Sequence, residues 1–170
     1  LAQLSLLADR ASPKFSYGGR CFPEEFQPYA WQSMGKAPVA ISGQELRIED
    51  KTVSDGRVYF VTDTAPMGSD RVLDSSLDYM YEFRLCVVDY VAEAGIDPCF
   101  AGAMSQVYDG QRSVGLMLVT VGSKPCLALH SDGVALKVLD YAWDTNPHTY
   151  RVVKSTAGDL ISVFVDTAFV

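Results

Sequence analysis

The sequence predicts an all-β fold, an antiparallel two-sheet β-sandwich of jelly-roll type, on three observations. Short runs rich in Val, Ile, Thr, Tyr and Phe follow one another along most of the chain, and these residues suit a pleated, half-buried surface. Turn residues such as Ser54-Asp55-Gly56 and Ser131-Asp132-Gly133 separate the runs. After residue 36 the chain shows no helical pattern of ten or more residues between strands, which a parallel α/β sheet would require.

The amino-terminal segment, residues 1–36, is predicted to be irregular apart from one short helix. Leucines spaced three residues apart favour that helix within residues 1–12, before Pro13. Residues 12–36 are dense in Pro, Gly and aromatic side chains, which is typical of a long irregular segment. Residues 37–170 are predicted to form the β-sandwich, packed with the amino-terminal segment as one domain.

Seven strands are predicted before a final hairpin. They span residues 39–41, 45–49, 57–62, 79–91, 113–121, 126–129 and 134–139. The hairpin consists of residues 148–154 and 160–166 around an Ala157-Gly158-Asp159 turn. Residues 168–170 continue a strand-like pattern. Either residues 1–36 cover the sheet edge left there, or the edge is exposed and the protein associates with itself through strand addition.

Composition restricts the class of protein and of partner. The chain has 170 residues, of which 48% are hydrophobic and 21% charged, as in one globular domain. Its net charge is −7 and its 14 Lys and Arg residues are scattered, so we predict no nucleic-acid partner. Because no apolar run approaches about 20 residues, we also predict no membrane span.

The four cysteines, Cys21, Cys86, Cys99 and Cys126, leave the redox compartment open. They are widely spaced and form no C-x-x-C pair, so no zinc site is predicted. Two disulfides would suit a secreted module, whereas four buried free thiols would equally suit an intracellular or virion protein. We favour free thiols, because Cys86 lies within a run that is typical of a buried strand.

The order of short motifs in the carboxy-terminal part of the chain is similar to that of a known protein family. The sequence HTYRVVKSTAGDLISVFVD follows Leu127-Ala128-Leu129-His130-Ser131-Asp132-Gly133 and Trp143-Asp144. This order resembles the concanavalin A-like lectin and glucanase superfamily, and within it the laminin-G-like jelly rolls that carry an HTYR-type strand. The resemblance covers roughly residues 31–166. The chain departs from the pattern at Thr167, where a Gly is expected after Val165-Asp166.

The resemblance raises the question of glycoside hydrolysis. Some glucanases of this superfamily place three carboxylates on one strand as Glu-x-Asp-x-Glu, and the chain lacks that triplet. The weak catalytic candidates are Asp89 and Glu93, whose Cα atoms would lie about 13 Å apart in an extended strand. We interpret them as two solvent-facing acids and predict no catalysis, with a divergent glycoside hydrolase as a remaining alternative.

The two histidines, His130 and His148, are predicted to be structural. Neither has the spacing of a metal site or of a Gly-x-Ser-x-Gly nucleophile elbow. Because neighbours along a strand point to opposite faces, His130 and Ser131 cannot build a catalytic triad by themselves. We expect His148 to cap or pack the final hairpin.

A carbohydrate-binding face is the preferred functional hypothesis. Sugars stack on exposed aromatic rings and exchange hydrogen bonds with nearby polar side chains, and loops on a rigid sandwich often supply both. Two loop groups have this composition: Tyr108, Asp109, Gln111 and Arg112; and Tyr141, Trp143, Asp144 and Asn146.

Three aspartates in turns, Asp109, Asp132 and Asp144, leave calcium open as a ligand, but no EF-hand-like run of oxygen ligands is present, so no cofactor or metal is predicted. The chain is thus predicted to be a non-catalytic, lectin-like module of a larger secreted, surface or phage protein, with a glycan or polysaccharide as its partner. The corresponding location is extracellular, on a cell surface or in a virion. The alternative is a structural, assembly or adhesion domain, as in a viral coat or tail, without affinity for sugars.

Overall fold

The computed structural model describes residues 17, 20–25, 31–35, 39–49, 58–61, 73–89, 103–121, 124–131 and 134–170. These residues are nearly all in antiparallel β-structure, with a single turn of 3₁₀-helix at Pro23–Glu25 among them. The chain divides into two compact units, and the described residues of one lie within 12–72 and those of the other within 73–170. The predicted division after residue 36 stays a prediction.

The unit of residues 12–72 contains two strand pairs. Strands β1 (Gln32–Gly35) and β4 (Val58–Val61) pair with each other, as do β2 (Val39–Ser42) and β3 (Glu45–Ile48). A two-residue turn joins β2 to β3, and its residues Gly43 and Gln44 have φ angles of 60° and 69°. Positive φ at both positions is the geometry of a type I′ turn, whose twist suits a tight hairpin.

The unit of residues 73–170 is a β-sandwich of two four-stranded antiparallel sheets. Sheet I has the order β12-β11-β10-β5, with β5 (Tyr79–Leu85), β10 (His148–Ser155), β11 (Leu160–Val165) and β12 (Ala168–Phe169). Sheet II is a meander in chain order, with β6 (Ala103–Tyr108), β7 (Ser113–Val121), β8 (Lys124–Ser131) and β9 (Val134–Leu139). The chain therefore leaves sheet I after β5 and returns to it at β10.

The core consists of side chains from the two sheets. Alternation along each strand directs every second side chain to this layer. Sheet II contributes Val114, Leu116, Leu118, Leu127, Leu129 and Leu139, and sheet I contributes Tyr150, Val152, Val163 and Val165. Tyr150 is 1% exposed, and its ring stacks on Phe83 with 5.3 Å between the centroids.

Strands β7 and β8 are buried on both faces. The side chains opposite the core, Met117, Val119, Cys126 and Ala128, form a second buried apolar cluster. A strand buried on both sides has a continuous apolar sequence rather than an alternating one, which explains the run of buried residues from Val114 to Val119.

The structure confirms most of the predicted strands and corrects two points. The strand predicted over residues 79–91 ends at Leu85, because its partner β10 begins opposite Leu85 at His148 and the preceding Pro147 has no N–H to extend the ladder. Strands β1 and β6 were not predicted, since Gln-Ser-Met-Gly and the first four residues of β6, Ala-Met-Ser-Gln, have little β propensity, and only Val107 and Tyr108 favour a strand there. The helix predicted within residues 1–12 lies outside the described residues.

The missing glycine after Val165-Asp166 has a structural replacement. Val165 pairs with Ala168, so Asp166 and Thr167 form a two-residue turn between β11 and β12. Asp166 has a φ of 52°, a left-handed conformation that Asp adopts more readily than most residues. The tight connection is therefore kept without glycine.

Burial predicts how strongly the core leucines stabilise the sandwich. Leu127→Ala removes a side chain with no exposure and is expected to lower the free energy of unfolding by about 2–5 kcal/mol. Leu77→Ala makes the same change at a side chain that is 59% exposed, and the expected loss is below about 0.5 kcal/mol. Urea unfolding of both variants checks this, and equal losses would contradict the sheet packing.

Candidate functional site

The two groups of predicted binding residues lie at opposite ends of the sandwich. The turn of residues 109–112 immediately precedes Ser113, the first residue of β7. The indole nitrogen of Trp143 donates a hydrogen bond to the carbonyl of Val119, near the other end of β7, at 2.8 Å. Six residues of extended strand separate these points by about 20 Å. We call the end with the turn of residues 109–112 the Asp109 end. The other end, where His148 contacts Asp144, is the His148 end.

Asp109 organises its end. It is 2% exposed, and its Oδ1 accepts hydrogen bonds from the backbone N–H groups of Gln111 at 3.1 Å and Arg112 at 3.0 Å. Its Oδ2 accepts from the Tyr79 hydroxyl at 3.1 Å. Burial alone would raise the pKa of Asp109, but these hydrogen bonds outweigh it and hold the pKa below its ordinary value. The carboxylate is therefore committed to the turn.

Arg112 joins this turn to the turn between β10 and β11. Its Nη2 lies 2.5 Å from Asp159 Oδ1, and its Nη1 lies 3.5 Å from Asp159 Oδ2. This hydrogen-bonded pair lowers the pKa of Asp159. Asp159 has a φ of 50° and follows Gly158 with a φ of 84°, so the predicted Ala157-Gly158-Asp159 turn is present. Asp159 was not among the predicted site residues, since nothing in its local sequence indicates a partner 47 residues away.

Lys154 is a second charged residue at this end that was not predicted. Its side chain is 3% exposed; its Nζ donates to the carbonyl of Ser75 and lies 5.6 Å from the centre of the Tyr79 ring. A buried ammonium group requires such partners. Because side chains alternate along β10, Lys154 points to the same side as Tyr150 and Val152. This alternation could have predicted the burial of Lys154 from the sequence.

Tyr108 and Gln111 complete the Asp109 end. Tyr108 is 64% exposed, and its hydroxyl donates to the carbonyl of Gly110 at 3.0 Å, which restrains the ring. Gln111 is exposed. The structure thus brings together the four residues predicted here and shows two of them, Asp109 and Arg112, held by partners within the protein.

At the His148 end the aromatic residues belong largely to the core. Tyr141 and Trp143 pack against the central cluster, and the Trp143 N–H is already used by Val119. Asn146 is exposed, and its backbone N–H donates to Asp144 Oδ1 at 2.7 Å. Burial raises the pKa of Tyr141. Little aromatic surface is left here for a ligand.

His148 lies between two carboxylates. Its Nδ1 is 2.9 Å from Asp166 Oδ2, and its Nε2 is 3.0 Å from Asp144 Oδ1. Hydrogen bonding to Asp166 and then to Asp144 raises the pKa of His148. Asp166 was not a predicted site residue. The contacts agree with the expectation that His148 packs the final hairpin, because Asp166 lies in the turn that follows β11.

The other histidine, His130, is 4% exposed, and its Nδ1 has no hydrogen-bond partner. It shares the outward face of β8 with Cys126 and Ala128. Cys21, Cys86 and Cys126 are free thiols, and Cys86 Sγ donates to the carbonyl of Thr145 at 3.0 Å.

The weak catalytic candidates remain untested as a pair. Asp89 is exposed and lies beyond the end of β5, so the strand geometry assumed for it does not apply. Glu93 lies outside the described residues. Across the part of the chain that is described, no group of three or more His, Cys, Asp or Glu side chains could hold a metal ion. Asp109 and Asp144 lie at opposite ends, and Asp132 lies outside the described residues.

No protein-family model, curated protein or solved structure matches the chain. Within the described ranges, no helix combines the length and apolar character that a membrane span needs.

The buried carboxylate of Asp109 gives a prediction for stability. Asp109→Asn leaves one oxygen to accept three hydrogen bonds, and we expect it to lower the free energy of unfolding by about 1–3 kcal/mol at pH 7. Because the pKa of Asp109 is lowered on folding, the difference should shrink as the pH falls through that lowered value. Asp89→Asn at an exposed site is the control, with an expected change within about 0.5 kcal/mol. Equal losses at pH 7 would refute this role.

Proposed function

We propose that the chain is a non-catalytic, lectin-like carbohydrate-binding module whose site lies at the Asp109 end. The observation that carries the proposal is Tyr108, an aromatic ring that is 64% exposed beside a rigid turn. The aliphatic C–H faces of a sugar stack on such a ring, and burial of that surface favours binding. The hydrogen bond from Tyr108 to Gly110 reduces the entropy that the ring loses on binding.

Polar groups around Tyr108 support the same choice. Gln111 is exposed and offers an amide that both donates and accepts hydrogen bonds. Arg112 is held by Asp159, so its position is fixed before a ligand arrives. The other predicted group is a weaker candidate, because the ring and N–H of Trp143 are used within the core.

The connectivity of the strands and the superfamily of the domain are part of the same proposal. We propose a jelly-roll connectivity and membership of the concanavalin A-like superfamily, with laminin-G-like domains as the nearest type. The passage of the chain from β5 in sheet I through four strands of sheet II and back to β10 supports this. An extracellular, cell-surface or virion location would follow from that relationship.

The test compares two substitutions of Tyr108 on a broad array of immobilised glycans, followed by titration of the strongest binder. Tyr108→Ala removes the ring and should weaken binding about tenfold, equivalent to about 1.4 kcal/mol. Tyr108→Phe keeps the ring and should retain most of the affinity. Phe169→Ala removes another exposed aromatic side chain, 57% exposed, and should leave binding unchanged. Absence of glycan binding by the unmodified protein, or full binding by Tyr108→Ala, would refute the proposal.

A structural or assembly domain is the second candidate, and one surface favours it. The centre of the outward face of sheet II is already buried, but one apolar side chain on each of its edge strands is exposed: Met104 by 43% and Val138 by 55%. Exposed apolar side chains at such sheet edges suit contact with another protein. An assembly domain would form a stable oligomer without affinity for any glycan.

Sedimentation velocity distinguishes the two candidates. If self-association uses this face, Val138→Lys should shift the protein from oligomer to monomer, since it places a charge within the contact. Leu160→Lys introduces the same charge on sheet I, at a side chain that is 56% exposed, and should leave the oligomer intact. A monomer at all concentrations would exclude self-assembly through this surface.

A further inference from the structure

We propose that His148 is a pH-sensitive clamp whose protonated ring holds Asp144, in the β9–β10 connection (residues 140–147), against the turn between β11 and β12, and whose deprotonation frees the Asp144 side of that connection, while the Tyr141 carbonyl stays bonded to the Leu127 N–H. This device lies at the opposite end from the proposed glycan site and is independent of it. It follows from the distances around one imidazole ring.

Both ring nitrogens face carboxylate oxygens at hydrogen-bond distance, 2.9 Å from Nδ1 to Asp166 and 3.0 Å from Nε2 to Asp144. A neutral imidazole carries one N–H, so it can donate to one of the two carboxylates, and its other nitrogen would turn a lone pair toward an anionic oxygen. The imidazolium ion donates to both. Two carboxylate contacts to one ring therefore favour its protonated form.

The carboxylates are themselves held, which limits how the site can relax when the proton leaves. Asp166 Oδ1 accepts from the Thr149 N–H at 3.0 Å, and the Asp166 N–H donates to the Thr149 carbonyl at 2.7 Å. Asp144 is anchored by the Asn146 N–H, within the connection itself. Because Asp166 is tied to β10 and Asp144 is not, the contact to Asp144 is the one we expect to break.

The charges around the ring favour the proton. Four elements surround His148, namely β5, the connection, β10 and the turn after β11, and the carboxylates come from the connection and from this turn. The titratable and charged groups that face the site, among the described residues, are Arg84, Tyr141, Asp144, Tyr150 and Asp166. Arg84 acts on Asp166, and the two carboxylates act directly on the ring. They raise the pKa of His148 above 6.5, while hydrogen bonds lower the pKa values of Asp144 and Asp166.

The direction of the pH effect follows from these shifts. A histidine whose pKa is higher in the folded protein than in the unfolded chain stabilises the fold fully below 6.5. That contribution is lost as the pH rises through the raised value. On the acid side it persists until the pH falls to the lowered pKa values of the carboxylates. The clamp is thus closed in mildly acidic solution and opens toward alkaline pH.

The protonation state is tested first, by NMR of protein labelled with ¹⁵N in the histidine rings. The chain has two histidines, so His148→Gln assigns the signals. We expect both ring nitrogens of His148 to carry protons at pH 6.5 and to titrate with a midpoint above that value. Asp144→Asn should lower the midpoint. A midpoint at or below 6.5, or one that Asp144→Asn leaves unchanged, would overturn the proposal.

Release of the connection is tested by the fluorescence of Trp143, whose N–H donates to Val119 from within residues 140–147. The chain has two tryptophans, so Trp31→Phe leaves Trp143 as the sole reporter. Its emission should shift to longer wavelength as the pH rises through the midpoint measured for His148. With Asp144→Ala added, which removes this acceptor and keeps the contact of His148 to Asp166, the shifted emission should appear already at pH 6. Emission independent of pH in the Trp31→Phe protein would show that the connection stays closed and would refute the clamp.

Discussion

The pairing of β10 with its two neighbours is the constraint on which the rest of the sandwich depends. It pairs with β5 over seven residues and with β11 over six. This register directs His148, Tyr150, Val152 and Lys154 to one face, with apolar side chains at the centre and a charged or chargeable one at each end. A slip of one residue would move Tyr150 out of the layer between the sheets and would move both polar groups away from their partners.

Polar groups are tolerated at the ends of this face because each end supplies partners for them. A buried charge without partners would cost several kcal/mol. At one end the ammonium of Lys154 meets the carbonyl of Ser75 and the ring of Tyr79. At the other, His148 meets two carboxylates, and Tyr150 connects it to the core, since their ring centroids lie 6.3 Å apart. The same strand therefore fills the core and positions both ends.

Many of the strands and the turn at the site could be predicted from the sequence. The contacts that could not be predicted join residues that are far apart along the chain. Local composition is enough to place strands such as β7, because burial on both faces leaves a continuous apolar run. It misses β6, whose side chains alternate between half-buried and exposed and include few β-formers. At the site, Gly and Asp predict the turn that holds Asp109 and Arg112. Tyr79 lies 30 residues from Asp109, and Asp159 lies 47 residues from Arg112. Only the packing of the two sheets brings these partners together.

The two ends differ in how firmly they are held near neutral pH. The carboxylate of Asp109 accepts three hydrogen bonds and its pKa is lowered, so its charge does not change in this range. The contacts of His148 depend on the proton of its ring, and hydrogen bonding to Asp166 and Asp144 raises the pKa of that ring above its ordinary value. A ligand site needs a platform that is the same before and after binding, since each group that must be ordered reduces affinity. The Asp109 end satisfies this condition, whereas the contacts of the His148 end depend on the proton of one ring, and this physical difference is the reason for proposing the ligand site at the Asp109 end.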